Sequence, residues 1–409
     1  MAGVAWNLEQ QFRALGATVE RYTFDDARRH RQRPWPRNPF LRRLARGWRV
    51  VWFSTFGTVR ARRFLAERPD AVSICHNDVM AGDIYVDHGV ILASMRARGN
   101  PVWLMVRNPF HIFIHLRDLV RYRGRTHRVV VALAQADVTE LRESYGHVRP
   151  RVVIIPNGVD LDRFRPPTPE ERREAREALH LGEEERVAVF VGHEFHRKGL
   201  SFAIEALRFA PNVLLLIVGG SDDIIAEANA AAQELGVGDR VLFLGPRHDL
   251  SGFLAASDMF VLPSAYEANA LVVLEALASG LPVVTTRVGF APEIIVDGQN
   301  GFLVDRDPRD IGARLTQLAE EGDLSAWSRR ARASVEGYSW RAVAQRYLEL
   351  AAELADERDD ERGDQRRVRG GRGRSAGSAG SARAAGSAGD SRRAGETGAA
   401  ANGAGGAGG

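Results

Sequence analysis

The sequence predicts an α/β protein built from two doubly wound parallel sheets. Three observations carry this. Short β-branched runs alternate with helical patterns over residues 1–356. Those runs are continuously apolar, as suits strands buried on both faces. The length, 409 residues, suits two domains at roughly 100–200 residues each.

In the first half, Thr18–Phe24, Ala71–Cys75, Pro101–Val106, Val129–Leu133 and Val152–Ile155 read as strands. In the second half the strands are Val187–Val191, Val213–Val218, Val241–Leu244, Met259–Leu262, Pro282–Thr285 and Gly301–Val304. Each set is large enough for its own sheet. The turn signal Pro156-Asn157-Gly158 separates them. It places an N-terminal domain at residues 1–157 and a second at 158–338. A C-terminal helix follows within 339–356. It opens on Ser339 as N-cap and carries an apolar stripe at Val343, Tyr347, Leu350 and Leu354. From Glu357 onward Gly, Ala, Ser and Arg dominate and aromatics are absent. Residues 357–409 cannot bury enough apolar surface to offset ordering entropy, and a disordered tail is expected. At the other end, a helix over Asn7–Leu15 begins almost at once after Gly3. The strand that normally opens a doubly wound half is missing. The expectation is a start lying upstream, with loss of a central strand as the alternative.

Composition narrows the function. With 44% hydrophobic and 26% charged residues, the chain as a whole is not disordered. No run approaches the ~18–20 apolar residues of a membrane span, and the first residues lack a secretory pattern. Cys75 is the sole cysteine, which excludes an internal disulfide and a Cys-based zinc site. A reducing cytoplasm is expected.

Two segments carry chemistry. Glu267 and Glu275, with seven residues between them, lie in YEANALVVLEALASGLPVV after the strand Met259–Leu262. Ligands of open α/β sheets bind beyond strand carboxyl ends, so both carboxylates can face one crevice. Asn269, Ala270 and Leu271 mark a helix start whose N–H groups suit an anion. The second segment is Gly192-His193-Glu194-Phe195-His196-Arg197-Lys198-Gly199, directly after Val187–Val191. A strand, a Gly-containing basic loop and a helix form an anion cradle. Arg197 offers a planar fork to phosphate and Lys198 a point charge. Two such cations stabilise charge developing on a departing diphosphate.

In this context the second half resembles the retaining glycosyltransferases of family 4, the group 1 glycosyltransferases. The matching features are Asn157-Gly158-Val159-Asp160, Arg197-Lys198-Gly199, Val218-Gly219-Gly220, Leu244-Gly245-Pro246-Arg247-His248-Asp249, Ala256-Ser257-Asp258, the Glu267/Glu275 block, Leu281-Pro282-Val283-Val284 and Asp297-Gly298-Gln299-Asn300-Gly301-Phe302. The basic loop and the Gly-Pro-Arg-His-Asp stretch look most like enzymes that glycosylate lipopolysaccharide core heptose. The first half matches weakly, as suits a domain holding a variable acceptor.

The resemblance implies a GT-B fold: two facing doubly wound domains with a nucleotide diphosphate sugar in the cleft. It implies sugar transfer to a hydroxyl acceptor, with retention and without a cofactor or required metal. Glu275 would bind the ribose hydroxyls, Glu267 would lie near the donor sugar, and Arg197 and Lys198 would grip the diphosphate, with Gly192 opening their loop. Ala270 stands where many relatives have glycine, and His193 where many have arginine. Asp160-Leu161-Asp162 looks like a metal-binding DxD but sits in an interdomain turn, and reads as turn chemistry. In the first half, Asp87-His88-Gly89 resembles the segment that meets the donor sugar across the cleft. His88 would then hydrogen-bond a sugar hydroxyl or orient the acceptor; a structural histidine is the alternative. A non-catalytic scaffold of the same fold and a nucleotide-sugar epimerase are the rival functions.

Between Arg28 and Arg63 there are many arginines, no Asp or Glu, and the aromatics Trp35, Phe40, Trp48, Trp52 and Phe53. Pro39–Trp52 interleaves Phe40, Leu41, Leu44 and Trp48 with Arg42, Arg43, Arg46 and Arg49. Either this is a solvated basic face packed on the first sheet, or an amphipathic helix on an anionic membrane. The latter places a glycan or lipid-linked acceptor at the inner membrane face. No nucleic-acid partner is expected.

Overall fold

The structure is a computed structural model and describes residues 2–28, 37–76 and 78–377. The chain divides into two compact units, Met1–Ala355 and Asp356–Gly409.

The larger unit holds two parallel sheets. The first contains β1 (Ile74–Cys75), β2 (Ile84–Val86), β3 (Val129–Ala132) and β4 (Arg151–Ile154), in that spatial order. The second contains β5 (Arg186–Val191), β6 (Val213–Val218), β7 (Val241–Gly245), β8 (Met259–Leu262), β9 (Val283–Thr286) and β10 (Gly301–Val304). Its order is β10-β9-β8-β5-β6-β7. From β5 the chain winds outward through β6 and β7, then returns to build β8, β9 and β10 on the other side. β5 and β8 are the neighbours at this reversal, with Ala188 opposite Met259 and Val189 opposite Phe260. The crevice beyond the carboxyl ends of such a pair is where open parallel sheets take ligands. Topology alone therefore brings together the residues after Val191 and those after Leu262.

Burial explains the composition of these strands. Val187–Phe190 and Met259–Leu262 are wholly inaccessible, so every position is apolar and alternation is absent. The first sheet is covered by helix Ala2–Ala14, which places Val4, Leu8 and Phe12 against Ile84, Val86, Val129 and Val131. The last helix, Trp340–Gly377, adds Val343, Tyr347, Leu350 and Leu354 to the same core. The predicted apolar stripe is thus the buried one.

Four expectations differ from the structure. Thr18–Phe24 forms no strand. Asp26 and the Thr23 side chain instead make a capping box for the short helix Phe24–Ala27. Pro101–Val106 is not a strand but part of helix Pro101–Arg107. There the Asn100 side chain accepts from the Val102 and Trp103 amides, and Pro101 presets the first turn. Ile84–Val86 is a strand that the sequence reading missed, and the predicted strand at 71–75 keeps only Ile74 and Cys75. Finally, the last helix continues through residues 357–377, where composition predicts no order. Arg362 and Asp359 form an (i, i+3) ion pair there, 3.6 Å apart. Residues 378–409 lie outside the described residues.

Helix Phe110–Arg123 buries charge. Arg121 is fully inaccessible; it donates to the Val79 carbonyl at 3.1 Å, lies 3.4 Å from Asp118 and stacks over the Tyr85 ring. Arg121→Ala removes one of two arginine partners of a buried carboxylate, and should cost about 3 kcal/mol of unfolding free energy. Urea denaturation checks this; a loss below about 1 kcal/mol would mean that water replaces the guanidinium.

Candidate active site

The loop after β5 folds back on itself. A Cβ at Gly192 would overlap the Lys198 side chain, so glycine there leaves the path for the lysine stem. Phe195–Lys198 makes one helical turn that ends at Gly199, whose φ is +78°. That left-handed conformation favours glycine, and a Cβ there would also strike the Pro263 carbonyl in the loop after β8. The two loops are then stitched together. The Ala265 amide donates to the Arg197 carbonyl at 2.8 Å. Arg306 donates to the Pro263 and His196 carbonyls at 3.1 and 2.8 Å.

Arg197, Lys198 and Glu267 converge on one atom. Arg197 Nη1 and Lys198 Nζ each lie 3.0 Å from Glu267 Oε1, and Ser264 Oγ donates to the same oxygen at 3.0 Å. These side chains are only 17%, 14% and 12% exposed. Burial alone would lower the Arg197 pKa, but Glu267 and Glu194 outweigh it and the guanidinium is held charged. Reciprocally, the hydrogen bond from Arg197 lowers the Glu194 pKa. A shared carboxylate thus fixes two cations at the mouth of the crevice.

Beside this cluster a pocket is lined by Glu267, Asn269, Ala270, Val273, Val288 and Phe290, among others. Both polar atoms of the Asn269 amide are buried in it without a protein partner. Such a group costs stability unless something hydrogen-bonds it. Ala270 is the N-cap of helix Leu271–Ala278 and supplies no side-chain cap, so first-turn N–H groups remain for an anion. The Phe290 amide donates to the Ala268 carbonyl at 3.1 Å, and at Gly289 a Cβ would overlap the Glu267 and Ala268 carbonyls. Close backbone approach therefore shapes the pocket wall.

Glu275 lies apart from the ion cluster, inside helix Leu271–Ala278. Its Oε2 is buried without a partner. Burial pushes its carboxyl up to about 7, and the Arg163 charge opposes this only in part. Arg163 itself pairs with Asp249 at 2.9 Å.

The first sheet reaches the same place through the loop after β2. The Val90 amide donates to Tyr266 Oη at 2.8 Å, and Gly89, at φ +132°, packs against the same hydroxyl. His88 is therefore anchored beside the residue that precedes Glu267. His88 Nε2 lies 3.0 Å from His76 Nδ1. Burial lowers His88 to about 3 and His76 to about 4, so both rings are neutral and one donates to the other. Asp87 is buried and raised to about 6, with the Gly89 amide, 3.1 Å away, opposing the shift. Sequence reasoning missed His76 and Tyr266. The signal for His76 was its place at the carboxyl end of β1, the position that β2 gives to His88.

The Asp160 carboxylate accepts from the Asp162 and Arg163 amides at 3.2 and 3.0 Å, a turn arrangement. Among the described residues no group of three His, Cys, Asp or Glu side chains is placed to hold a metal ion. Of the Arg28–Arg63 stretch, residues 29–36, Trp35 among them, lie outside the described residues. Helix Pro39–Trp52 leaves Leu41, Leu44 and Trp48 exposed, whereas Phe53 turns into the core. No helix among the described residues is long and apolar enough to cross a membrane.

Comparison with known proteins agrees with this architecture. Residues 171–338 match the family model of glycosyl transferases group 1, and residues 1–163 that of glycosyltransferase family 4. A D-inositol 3-phosphate glycosyltransferase of Xylanimonas cellulosilytica is 34% identical over 237 residues, covering 55% of this chain and 56% of that protein. The chain spans a little over half the length of the curated relatives it matches. WaaG, a glycosyltransferase involved in lipopolysaccharide biosynthesis, has a TM-score of 0.63 at 23% identity, covering 78% of this chain and 85% of that one. HepE of Anabaena, solved with UDP-glucose, has a TM-score of 0.57 at 23% identity, covering 66% and 72%. These neighbours share the arrangement of two Rossmann-like domains that defines GT-B. With both halves matched by glycosyltransferase family models and that fold in place, the chain belongs to the group 1 glycosyltransferases.

Proposed function

We propose that this protein is a retaining, metal-independent glycosyltransferase. It moves a sugar from a nucleotide diphosphate sugar to a hydroxyl acceptor in glycan, polysaccharide or glycolipid synthesis. The observation that carries this is the pair of buried cations, Arg197 and Lys198, held on Glu267 at the β5/β8 reversal. The diphosphate settles between these cations and the uncapped helix start at Leu271. Glu275 receives the ribose hydroxyls, and Glu267 and Asn269 face the donor sugar. Neutral His88 hydrogen-bonds a sugar hydroxyl from the other side of the cleft. As the bond from the anomeric carbon to the phosphate oxygen breaks, charge grows on the diphosphate where Arg197 and Lys198 stand. The acceptor oxygen bonds to that carbon on the same face, and its proton passes to the leaving phosphate. The UDP-glucose bound by HepE makes UDP-sugars the first donors to test. The acceptor is a lipid-linked or envelope glycan at the inner membrane face, with the Arg28–Arg63 stretch as a peripheral membrane contact.

A thermal-shift screen against UDP-, GDP- and ADP-sugars tests the donor site. A true donor at a hundredfold excess over its Kd should stabilise the fold by about 2.7 kcal/mol, and EDTA should leave both the shift and the activity intact. No shift with any of them would refute the donor reading. Strict dependence on a divalent ion would refute the metal-independent one.

A further inference from the structure

The first-sheet half exposes apolar side chains in regular stripes. Helix Phe110–Arg123 is apolar on both sides: its inward face buries Tyr122 with Asp118 and Arg121 and packs Leu119 on the core, while Ile112, Leu116 and Val120, one per turn, are 43%, 55% and 58% exposed. The preceding helix, Pro101–Arg107, leaves Val102, Trp103 and Val106 exposed at 69%, 56% and 73%. Helix Pro39–Trp52 adjoins them, because Gly47 lies against the Phe110 ring, and it adds the exposed Leu44 and Trp48. A soluble helix normally points such stripes at a core, and contiguous apolar exposure marks a contact surface.

The charge that these segments carry is almost entirely positive. Residues 37–66 contain no Asp or Glu, and residues 99–126 contain only Asp118, which is buried beside Arg117 and Arg121. Arg46, Arg62, Arg107 and Arg125 are exposed along these segments, and the Arg107 guanidinium lies 5.2 Å over the Trp103 ring. Asp78, paired with Arg117, is the nearby anion contributed by another segment. The predominantly cationic segments complement an anionic surface, and exposed aliphatic side chains with Trp48 and Trp103 complement the boundary between headgroups and acyl chains.

We propose that the outer faces of helices Pro101–Arg107 and Phe110–Arg123, with Pro39–Trp52 beside them, dock this half of the protein on an anionic lipid bilayer. The contact therefore extends well beyond the Arg28–Arg63 stretch. It rests on the proposed function only in that the acceptor is presented by lipid. Aliphatic side chains enter the interface, Trp48 and Trp103 sit at headgroup depth, and the arginines meet lipid phosphates.

Co-sedimentation of the full-length chain with phosphatidylcholine vesicles, with and without phosphatidylglycerol, tests this. The wild type should bind only the anionic vesicles, and less tightly as salt is raised. The triple variants Val102→Ser/Trp103→Ser/Val106→Ser and Ile112→Ser/Leu116→Ser/Val120→Ser should each weaken binding by about tenfold or more. Their melting temperatures and nucleotide titrations should match the wild type, since all six side chains face outward. Unchanged vesicle binding in both triples, with loss only in Arg42→Ser/Arg46→Ser, would overturn the proposal and leave the basic helix as the sole contact. Absence of wild-type binding would overturn it too, as would light scattering that shows a dimer which the triples dissolve. Nucleotide binding without lipid binding refutes this face alone; lipid binding without nucleotide binding refutes the donor reading alone.

Discussion

Lys198→Ala is expected to lower kcat by at least about 10²-fold, with a smaller rise in donor KM. Lys198 Nζ sits 3.0 Å from Glu267 Oε1, both side chains largely buried, and Gly192 gives its stem a fixed path. The ammonium is therefore in place before the reaction begins, and no reorganisation is needed as negative charge builds on the leaving diphosphate. Such a group contributes more in the transition state than in the ground state. The variant keeps Arg197 on Glu267, so the loop should hold its shape and the donor should still bind. Steady-state kinetics separates the cases: a rise in KM with unchanged kcat would make Lys198 a ground-state clamp.

Glu275→Ala should weaken nucleoside diphosphate affinity by about 10–100-fold, the cost of losing charged hydrogen bonds worth roughly 1.5–3 kcal/mol. The structure adds a second consequence. Burial raises the Glu275 carboxyl from 4.5 to about 7, so ionising it disfavours the folded state. That penalty is absent below the unfolded value, grows as pH rises from 4.5 toward 7, and is fully present above it. Removing the group should stabilise the ligand-free protein by about 1–3 kcal/mol at pH 8 and hardly at all at pH 4.5. A nucleotide sugar keeps its diphosphate charge across this range, so its affinity for the wild type should rise between pH 6 and 8 as Glu275 ionises. Calorimetry on both proteins checks each point. A variant with unchanged affinity would remove Glu275 from the ribose site, and one that is less stable at pH 8 would show the carboxylate to be partnered after all.

The second sheet was legible because its strands are buried on both faces. Val187–Val191 and Val213–Val218 are apolar at every position, and the glycines that follow them mark the strand ends. The ion cluster was half legible. Arg197, Lys198 and Glu267 stand out in the sequence, but their convergence on a single carboxylate oxygen depends on Gly199 lying against Pro263, a close approach that no spacing encodes. The first half read poorly for two physical reasons. Its strands are short, and β2 is flanked by polar residues that hide it. The apolar run Pro101–Val106 exposes Val102, Trp103 and Val106 to solvent; its hydrophobicity imitates a buried strand, yet Asn100 and Pro101 commit it to a helix. Tyr266 is illegible because it acts through Val90, 176 residues away; His76 stands at the end of a strand of only two residues, so its place beside His88 is hard to read.

The proposed diphosphate site of a nucleotide-sugar enzyme consists of Arg197 and Lys198 with the helix start after Ala270. Isothermal titration of UDP into the wild type and into Arg197→Ala/Lys198→Ala probes this site, with GDP and ADP run in parallel. At least one nucleotide should bind the wild type with micromolar affinity and bind the double variant about a hundredfold more weakly or worse, as loss of two charged contacts requires. Equal affinity in a folded double variant, or no binding of any of the three to the wild type, would contradict it.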